Sequence, residues 1–127
     1  MMDPANPVIR LCLAGTRAQF EGRAEAACTL FWQAWQAARD DYEACVAAHY
    51  VASCQTMPMA TLHWHQEALT RATKADLEQV KSFYPSLYVN LGQAHKVLGH
   101  EAEARHYYVL AADLGLAHAA NGPQAGK

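Results

Sequence analysis

The amino-acid sequence predicts an all-α protein, and three observations support this fold class. Hydrophobic residues make up 52% of the 127 residues, and Ala, Leu, Gln and Glu are frequent, so helices can form around a continuous core. β-branched residues are scattered and rarely alternate with polar ones, which leaves little signal for strands. Two distant segments also share one spacing of glycine, alanine and aromatic residues. The length fits a single domain over residues 1–127.

We predict six helices, which follow one another with short connections. Their predicted ranges are 7–20, 24–38, 41–54, 58–72, 76–98 and 101–115. Asp40, followed three residues later by Glu43, forms a capping-box pattern at the start of the third helix. Pro58 suits the first turn of the fourth helix. Asp76 with Gln79 is a weaker capping pattern for the fifth.

The fifth predicted helix contains a proline. Apolar residues continue through it at helical spacing, at Leu77, Val80, Tyr84, Leu87 and Leu91. Pro85 removes one backbone hydrogen-bond donor inside this range. We therefore expect a kink or a fresh helix start near Pro85.

The repeated spacing relates two segments that are offset by 77 positions. The matched pairs are Leu11 with Tyr88, Gly15 with Gly92, Gly22 with Gly99, Ala27 with Ala104, Phe31 with Tyr108, and Ala34 with Ala111. Glycine inside a helix costs about 1 kcal/mol relative to alanine. A close approach of the following helix would explain Gly15 and Gly92. Gly22 and Gly99 are expected to end a helix in the left-handed conformation.

The last copy of the pattern carries a family resemblance. It reads Tyr88, Leu91, Gly92, His95, Gly99, Ala104, Tyr108 and Ala111. This pattern resembles the tetratricopeptide repeat, a helix–turn–helix unit of about 34 residues. It departs from that repeat at Tyr88, where Trp is usual, and at His95, where Tyr is usual, and we expect His95 to serve packing. Phe31 and Tyr108 are expected to wedge between neighbouring hairpins.

The resemblance implies an architecture for the whole chain. We expect a right-handed α-α superhelix of about three tetratricopeptide-like helical hairpins. The hairpins would occupy approximately residues 7–38, 41–72 and 76–115, and residues 116–127 would form a flexible tail.

The middle copy is degenerate, and its register stays open. Placed 33 residues after the first copy, it puts Ala44, Ala47, Ala48 and Val51 on the inner face of its first helix. Its second helix can be registered on Ala60, with Trp64 in the aromatic place, or on Ala68. No glycine marks its turn.

Charge and hydropathy exclude several classes of partner. Ten Lys and Arg against twelve Asp and Glu give a formal net charge of −2, so the chain lacks the basic balance expected for nucleic-acid binding. No run of eighteen apolar residues predicts a membrane span. The N-terminal residues Met1 to Pro4 do not begin a secretory signal, so we expect a cytoplasmic location.

Four cysteines fall in apolar helical stretches without a C-x-x-C pair. They are Cys12, Cys28, Cys45 and Cys54. We interpret all four as free thiols that act as small buried hydrophobes in a reducing compartment.

Motifs for metal binding and catalysis are absent from the sequence. The seven histidines include His63 and His65, but side chains two residues apart on a helix point about 200° away from each other and do not share an ion easily. The chain has no H-E-x-x-H motif, no glycine-rich phosphate loop and no nucleophile elbow. We predict no metal site, no cofactor and no enzymatic activity.

The tetratricopeptide resemblance places ligands along the inner face formed by the first helix of each hairpin. Its register gives the candidate partner-binding residues Thr16, Tyr42, His49, Asn90, Gln93 and Lys96. Basic residues are missing at the first- and second-copy positions of a carboxylate clamp, so that mode is not expected. The expected function is a non-catalytic interaction module that binds a peptide or helix of another protein.

Two alternative functions stay open beside the interaction module. The last hairpin lacks a polar capping helix after it, which favours homo-oligomers formed through the C-terminal hairpin, as in a self-assembling scaffold. The chain could also be an accessory fragment of a larger regulator.

Overall fold

The computed structural model describes residues 3–119, with side chains up to residue 115. Every regular element in this range is helical, which confirms the all-α prediction. The helices are α1 (Pro7–Phe20), α2 (Ala24–Ala37), α3 (Asp41–Ser53), α4 (Pro58–Lys74), α5 (Leu77–Val80), α6 (Tyr84–Val97) and α7 (Glu101–Ala119). A 3-10 turn over Lys81–Phe83 joins α5 to α6.

Most predicted helix ends agree with the structure to within two residues. Two predicted helices, 76–98 and 101–115, differ more from it. The predicted helix over 76–98 divides into α5, the 3-10 turn and α6, and Pro85 lies in the first turn of α6. The expected fresh start near Pro85 is therefore confirmed. The last helix continues to Ala119, four residues past its predicted end, because no residue before that point breaks it. Residues 116–119, predicted as the start of a flexible tail, belong to α7, and residues 120–127 lie outside the described range.

The helices pack mainly as successive pairs. The most extensive contacts join α1 with α2, α3 with α4, and α6 with α7, and we call these pairs hairpins 1, 2 and 3. Between the pairs, α3 packs on α1 and α2, while α4 packs on α6. Within residues 3–119 no helix is long and apolar enough to cross a membrane.

Glycine and aromatic residues meet where the repeat predicts. A Cβ added to Gly15 would lie less than 3.0 Å from three ring atoms of Phe31. A Cβ added to Gly92 would lie 2.6 Å from Cε1 of Tyr108. The two glycines therefore allow the second helix of hairpins 1 and 3 to approach, as expected.

The turns of hairpins 1 and 3 also share one geometry. Gly22 and Gly99 have φ values of 79° and 81°, in the left-handed region where glycine carries no Cβ penalty. The residue after each glycine donates its backbone N–H five residues back, from Arg23 to Ala18 at 2.8 Å and from His100 to His95 at 2.9 Å. This bond satisfies a carbonyl at the helix end. The predicted left-handed helix ends are confirmed.

The centre of the molecule is α3. Eight of its residues are buried, on more than one face, because hairpin 1 covers one side and α4 covers another. Small side chains such as Ala47 and Ala48, both 0% exposed, let three helices pack closely around it. In α4, Ala68 is fully buried and Ala60 only half-buried, so the structure favours the Ala68 register for the middle copy.

A buried carboxylate joins the start of α3 to hairpin 1. Glu43 accepts hydrogen bonds from Asn6 Nδ2 at 2.9 Å, from the backbone N–H of Arg39 at 2.8 Å and from Arg39 Nη2 at 2.9 Å. The side-chain bond with Arg39 is the largest cause that lowers the pKa of Glu43, to about 2. Asp40 caps α3 by accepting the N–H of Glu43 at 2.8 Å, which is half of the predicted capping box. The returning bond goes to Arg39 instead of Asp40.

The interpretation of four free cysteines is wrong for two of them. Cys28 and Cys54 form a disulfide bond, with their Cα atoms 5.5 Å apart. They belong to different hairpins and meet because α3 lies across α2, which no local spacing could reveal. Cys12 and Cys45 are buried free thiols, as predicted. The pairing removes one of the arguments for a reducing compartment, so a cytoplasmic location stays a prediction.

Candidate functional site

A cavity of about 200 Å³ lies between α3 and the start of α6. It is lined by Cys45, Val46, His49, Tyr50, Ser82, Phe83, Ser86 and Leu87. We call it the α3–α6 cavity. Pockets that hold small-molecule ligands are usually about 300–1,000 Å³. The size of this cavity therefore suits a single side chain of a larger ligand.

The polar wall of the α3–α6 cavity centres on His49. Its Nδ1 lies 3.4 Å from Nδ2 of Asn90, and the amide donates to the ring when Nδ1 carries no proton. Burial lowers the pKa of His49, so the ring is neutral near pH 7 and can accept that bond. One candidate residue of hairpin 2, His49, is thus in contact with one candidate residue of hairpin 3, Asn90.

A second histidine lies behind His49, on α4. The rings of His49 and His65 have centroids 6.2 Å apart. Nδ1 of His65 is buried and has no hydrogen-bond partner within residues 3–119. Burial, and then the neighbouring His49, lowers the pKa of His65 to about 4. Both rings therefore form a neutral layer under the cavity at physiological pH.

Tyr50 connects the cavity to hairpin 1. Its ring stacks on Phe31 at a centroid distance of 5.3 Å and meets His49 edge-on at 5.1 Å. Burial is the main cause that raises the pKa of Tyr50. Since Phe31 also packs against Gly15, one continuous set of contacts links the middle of α1 to the cavity wall.

The opposite wall is aromatic and comes from the 3-10 turn. The ring of Phe83 stacks on Tyr42 with centroids 6.2 Å apart and an interplanar angle of 19°. Tyr42 lies at the start of α3, so the stack joins hairpin 2 to the segment before α6. This pair fixes one end of the cavity with two rigid rings.

The structure groups only some of the candidate partner-binding residues. His49 and Asn90 meet directly, and Tyr42 reaches the cavity through Phe83. Thr16 is exposed on α1, where its hydroxyl donates to the carbonyl of Cys12 at 2.9 Å. Gln93 is exposed on α6.

Lys96 lies away from the α3–α6 cavity. It lines a separate groove between α6 and α7, together with Tyr108 and Val109. The inner-face register of the repeat groups Lys96 with Asn90, but Asn90 contacts His49 on the wall of the α3–α6 cavity, whereas Lys96 lines the other groove.

Sequence reasoning missed Phe83 and Tyr50 as site residues. The predicted helix over 76–98, with its expected break near Pro85, does not include the 3-10 turn that directs Phe83 toward α3, because that turn leaves no pattern in the sequence. Tyr50 follows His49 directly, so the repeat register placed it on another face of α3. The long side chain of Tyr50, which stacks on Phe31, nevertheless lines the cavity.

Comparisons with known proteins add no assignment. No family model, no curated protein and no solved structure matches this chain. The tetratricopeptide resemblance therefore depends on the residues of the chain itself. Among residues 3–119, no group of three or more His, Cys, Asp or Glu side chains is placed to hold a metal ion.

Proposed function

We propose that this protein is a non-catalytic, tetratricopeptide-like interaction module that binds a peptide or helix of another protein along the face shared by α3 and α6. The observation that carries the proposal is the α3–α6 cavity, which lies between the first helices of two successive hairpins. A cavity in this position accepts one anchoring side chain while the rest of the peptide lies across the helices.

The lining of the cavity suits an apolar anchor with a polar neighbour. Phe83, Leu87 and Val46 offer an apolar surface, and interface anchors gain most of their affinity from such desolvated contacts. Ser86 and the His49–Asn90 pair lie beside this surface and can bond to a peptide backbone. We therefore expect a partner segment with a medium-sized aliphatic or aromatic residue flanked by free amide groups.

Peptides selected from a random phage-displayed library on the full chain test this proposal. Ser86 is exposed at the edge of the cavity, so Ser86→Trp fills the cavity without changing the core. We expect the selected peptides to bind Ser86→Trp at least about tenfold more weakly than the original protein. Asn90→Ala should weaken binding by less, about 1 kcal/mol for one hydrogen bond.

The matched control is Thr29→Trp, which adds the same ring at an exposed threonine of α2, outside the cavity. It should bind the selected peptides like the original protein. Equal affinity of the peptides for Ser86→Trp and for the original protein would contradict binding at this cavity.

A further inference from the structure

A second depression lies on the opposite side of hairpin 3. It has a volume of about 350 Å³ and is formed by one residue of α6 and six residues of α7. It is lined by Lys96, Glu101, Ala104, Arg105, Tyr108, Val109 and Ala112, and we call it the end groove. Val109 is 52% exposed there, and Tyr108 is half-buried.

The end groove has a counterpart in hairpin 1. Moving each lining residue back by the 77 positions of the repeat gives Gln19, Ala24, Ala27, Cys28, Phe31, Trp32 and Trp35. In hairpin 1 this surface is not open. Phe31 stacks on Tyr50 of α3, and Ala27 and Phe31 share a buried cluster with Val51.

The contacts of α3 continue to the edge of that surface. Gln19 Nε2 donates to Ser53 Oγ at 3.3 Å, and Cys28 is bonded to Cys54. The tryptophans at the other edge meet Trp64 of α4 at ring-centroid distances of 5.2 and 5.0 Å. In hairpin 1, the surface equivalent to the end groove is therefore covered by α3, and α4 packs at its edge.

We propose that the end groove of hairpin 3 docks an amphipathic helix of a partner protein, oriented as α3 is on hairpin 1, with acidic side chains at its C-terminal end. The helix would place an aromatic ring over Tyr108, as Tyr50 lies over Phe31. A small or β-branched residue would follow it, as Val51 follows Tyr50.

The charge of the partner follows from differences between the hairpins that leave the end groove with a net positive charge, because its two cations, Lys96 and Arg105, outnumber its one acid, Glu101. Arg105 stands at the counterpart of Cys28, and Lys96 at the counterpart of Gln19. In hairpin 1 these two positions contact the last residues of α3, Cys54 and Ser53. The two cations of hairpin 3 would therefore face the carbonyl end of the docked helix, which carries partial negative charge, and carboxylates placed there.

A second copy of this chain fits the end groove poorly. Its α1 is the first helix of a hairpin, and the 33-residue offset between α1 and α3 puts Arg17 at the place of Tyr50. Arg17 is exposed, so a cation would stand where Tyr50 places an aromatic ring, on the same groove as Lys96 and Arg105. Glu21 stands at the position equivalent to Cys54, but its carboxylate already pairs with Arg23 at 2.9 Å. The charges therefore favour a different protein.

The test uses a synthetic probe based on α3. A fluorescent peptide with the sequence of residues 40–54 carries Ser53→Glu and Cys54→Glu and is stapled between positions 45 and 49. Those two positions face the α3–α6 cavity in the protein, away from hairpin 1. We expect this acidic probe to bind the full chain, and a probe with lysine at positions 53 and 54 to bind at least about tenfold more weakly.

Protein variants locate the binding. Arg105 and Val109 are exposed, so Arg105→Glu and Val109→Glu should leave the fold intact, which circular dichroism checks. Arg105→Glu should weaken the acidic probe at least about tenfold and strengthen the lysine probe. Val109→Glu should abolish binding of both. Arg10→Glu on α1 and Ser86→Trp at the α3–α6 cavity are the controls and should change neither.

Three results would overturn the proposal. One is equal binding of the acidic and lysine probes, and another is unchanged affinity in Arg105→Glu. The third is a dimer in sedimentation velocity that Val109→Glu dissociates, because the groove would then be filled by a second copy of this chain.

Discussion

The ring of Tyr108 packs directly on the backbone of Gly92, and no Cβ could stand between them. The added atom would lie 2.6 Å from Cε1 and 2.8 Å from Cδ1 of the ring. Phe31 lies on Gly15 in the same way, so both outer hairpins are closed by one glycine and one ring. The two contacts differ in burial, since Phe31 is 0% exposed and Tyr108 is half-buried beside the end groove.

Alanine at these glycines should therefore destabilise hairpin 1 more than hairpin 3. In Gly15→Ala the enclosed Phe31 ring has no free space to move into, and we expect the free energy of unfolding to fall by about 2 kcal/mol. In Gly92→Ala the Tyr108 ring can swing toward the open groove, so the loss should be about 1 kcal/mol or less. Urea denaturation followed by circular dichroism measures both.

Gly115→Ala is the control for helix propensity. Gly115 lies in α7, and a Cβ there would meet nothing within 4 Å. We expect this variant to gain up to about 1 kcal/mol. Equal stability changes in all three alanine variants would contradict the packing role of Gly15 and Gly92.

The cysteine pairing predicts a specific thiol count. In the native protein Cys12 and Cys45 are buried, and burial raises the pKa of each thiol to about 12, so neither should react quickly with Ellman's reagent. After unfolding in guanidinium without reductant, two thiols should react, because Cys28 and Cys54 are bonded. Four reactive thiols in the air-oxidised protein would show that this bond does not form.

Loss of the Cys28–Cys54 bond should lower stability. The bond closes a loop with a sequence separation of 26, and a loop of this size contributes about 3 kcal/mol by restricting the unfolded chain. We expect Cys28→Ser and Cys54→Ser to lower the melting temperature to the same extent as dithiothreitol. A Cys12→Ser variant keeps the bond and should remain sensitive to dithiothreitol.

Acid should destabilise the protein through Glu43. Its pKa is about 2 in the folded state, below the ordinary 4.5, so the unfolded chain takes up the proton first as the pH falls. The stabilisation is complete above pH 4.5 and is lost as the pH falls toward 2, by up to about 3 kcal/mol. Glu43→Gln should lose this pH dependence. Glu21→Gln, at an exposed ion pair, should change stability by less than about 0.5 kcal/mol.

His65 should lower the stability of the protein at a higher pH than Glu43 does. Its pKa falls from the ordinary 6.5 to about 4 in the folded state, so the unfolded chain binds the proton first below pH 6.5. Stability is then lost between pH 6.5 and pH 4, by about 2 kcal/mol because the ring is only partly buried. Urea denaturation of His65→Phe should show a smaller loss in this range, to which His49 still contributes because burial also lowers its pKa, whereas His106→Phe, at an exposed histidine of α7, should behave like the original protein.

The features that sequence reasoning predicts well are local or repeated. Asp40 caps α3 because its side chain reaches an N–H three residues away, which is a property of one short segment. The contact of Gly15 with Phe31 lies within one hairpin, and the second copy at Gly92 and Tyr108 supports it. Periodicity and turn residues indicate such features from short segments of the sequence.

The features that it misses depend on how hairpins meet. Cys28 and Cys54 become neighbours only when α3 settles across α2. Phe83 reaches Tyr42 only because a 3-10 turn shifts the chain between α5 and α6. The candidate residue Lys96 shares α6 with Asn90 but lines the end groove, whereas Asn90 contacts His49, since the face of a helix that stays open is set by its neighbours.

The disulfide bond should also make the two ends of the molecule open at different rates. It fastens α2 to the end of α3, whereas α6 and α7 are held to hairpin 2 by side-chain packing and the His49–Asn90 hydrogen bond. Amide protons of α6 and α7 should therefore exchange with deuterated solvent faster than those of α3, through partial opening at the boundary between hairpins 2 and 3. The α3–α6 cavity lies on that boundary, so the same breathing motion would let it widen around side chains larger than its resting volume admits.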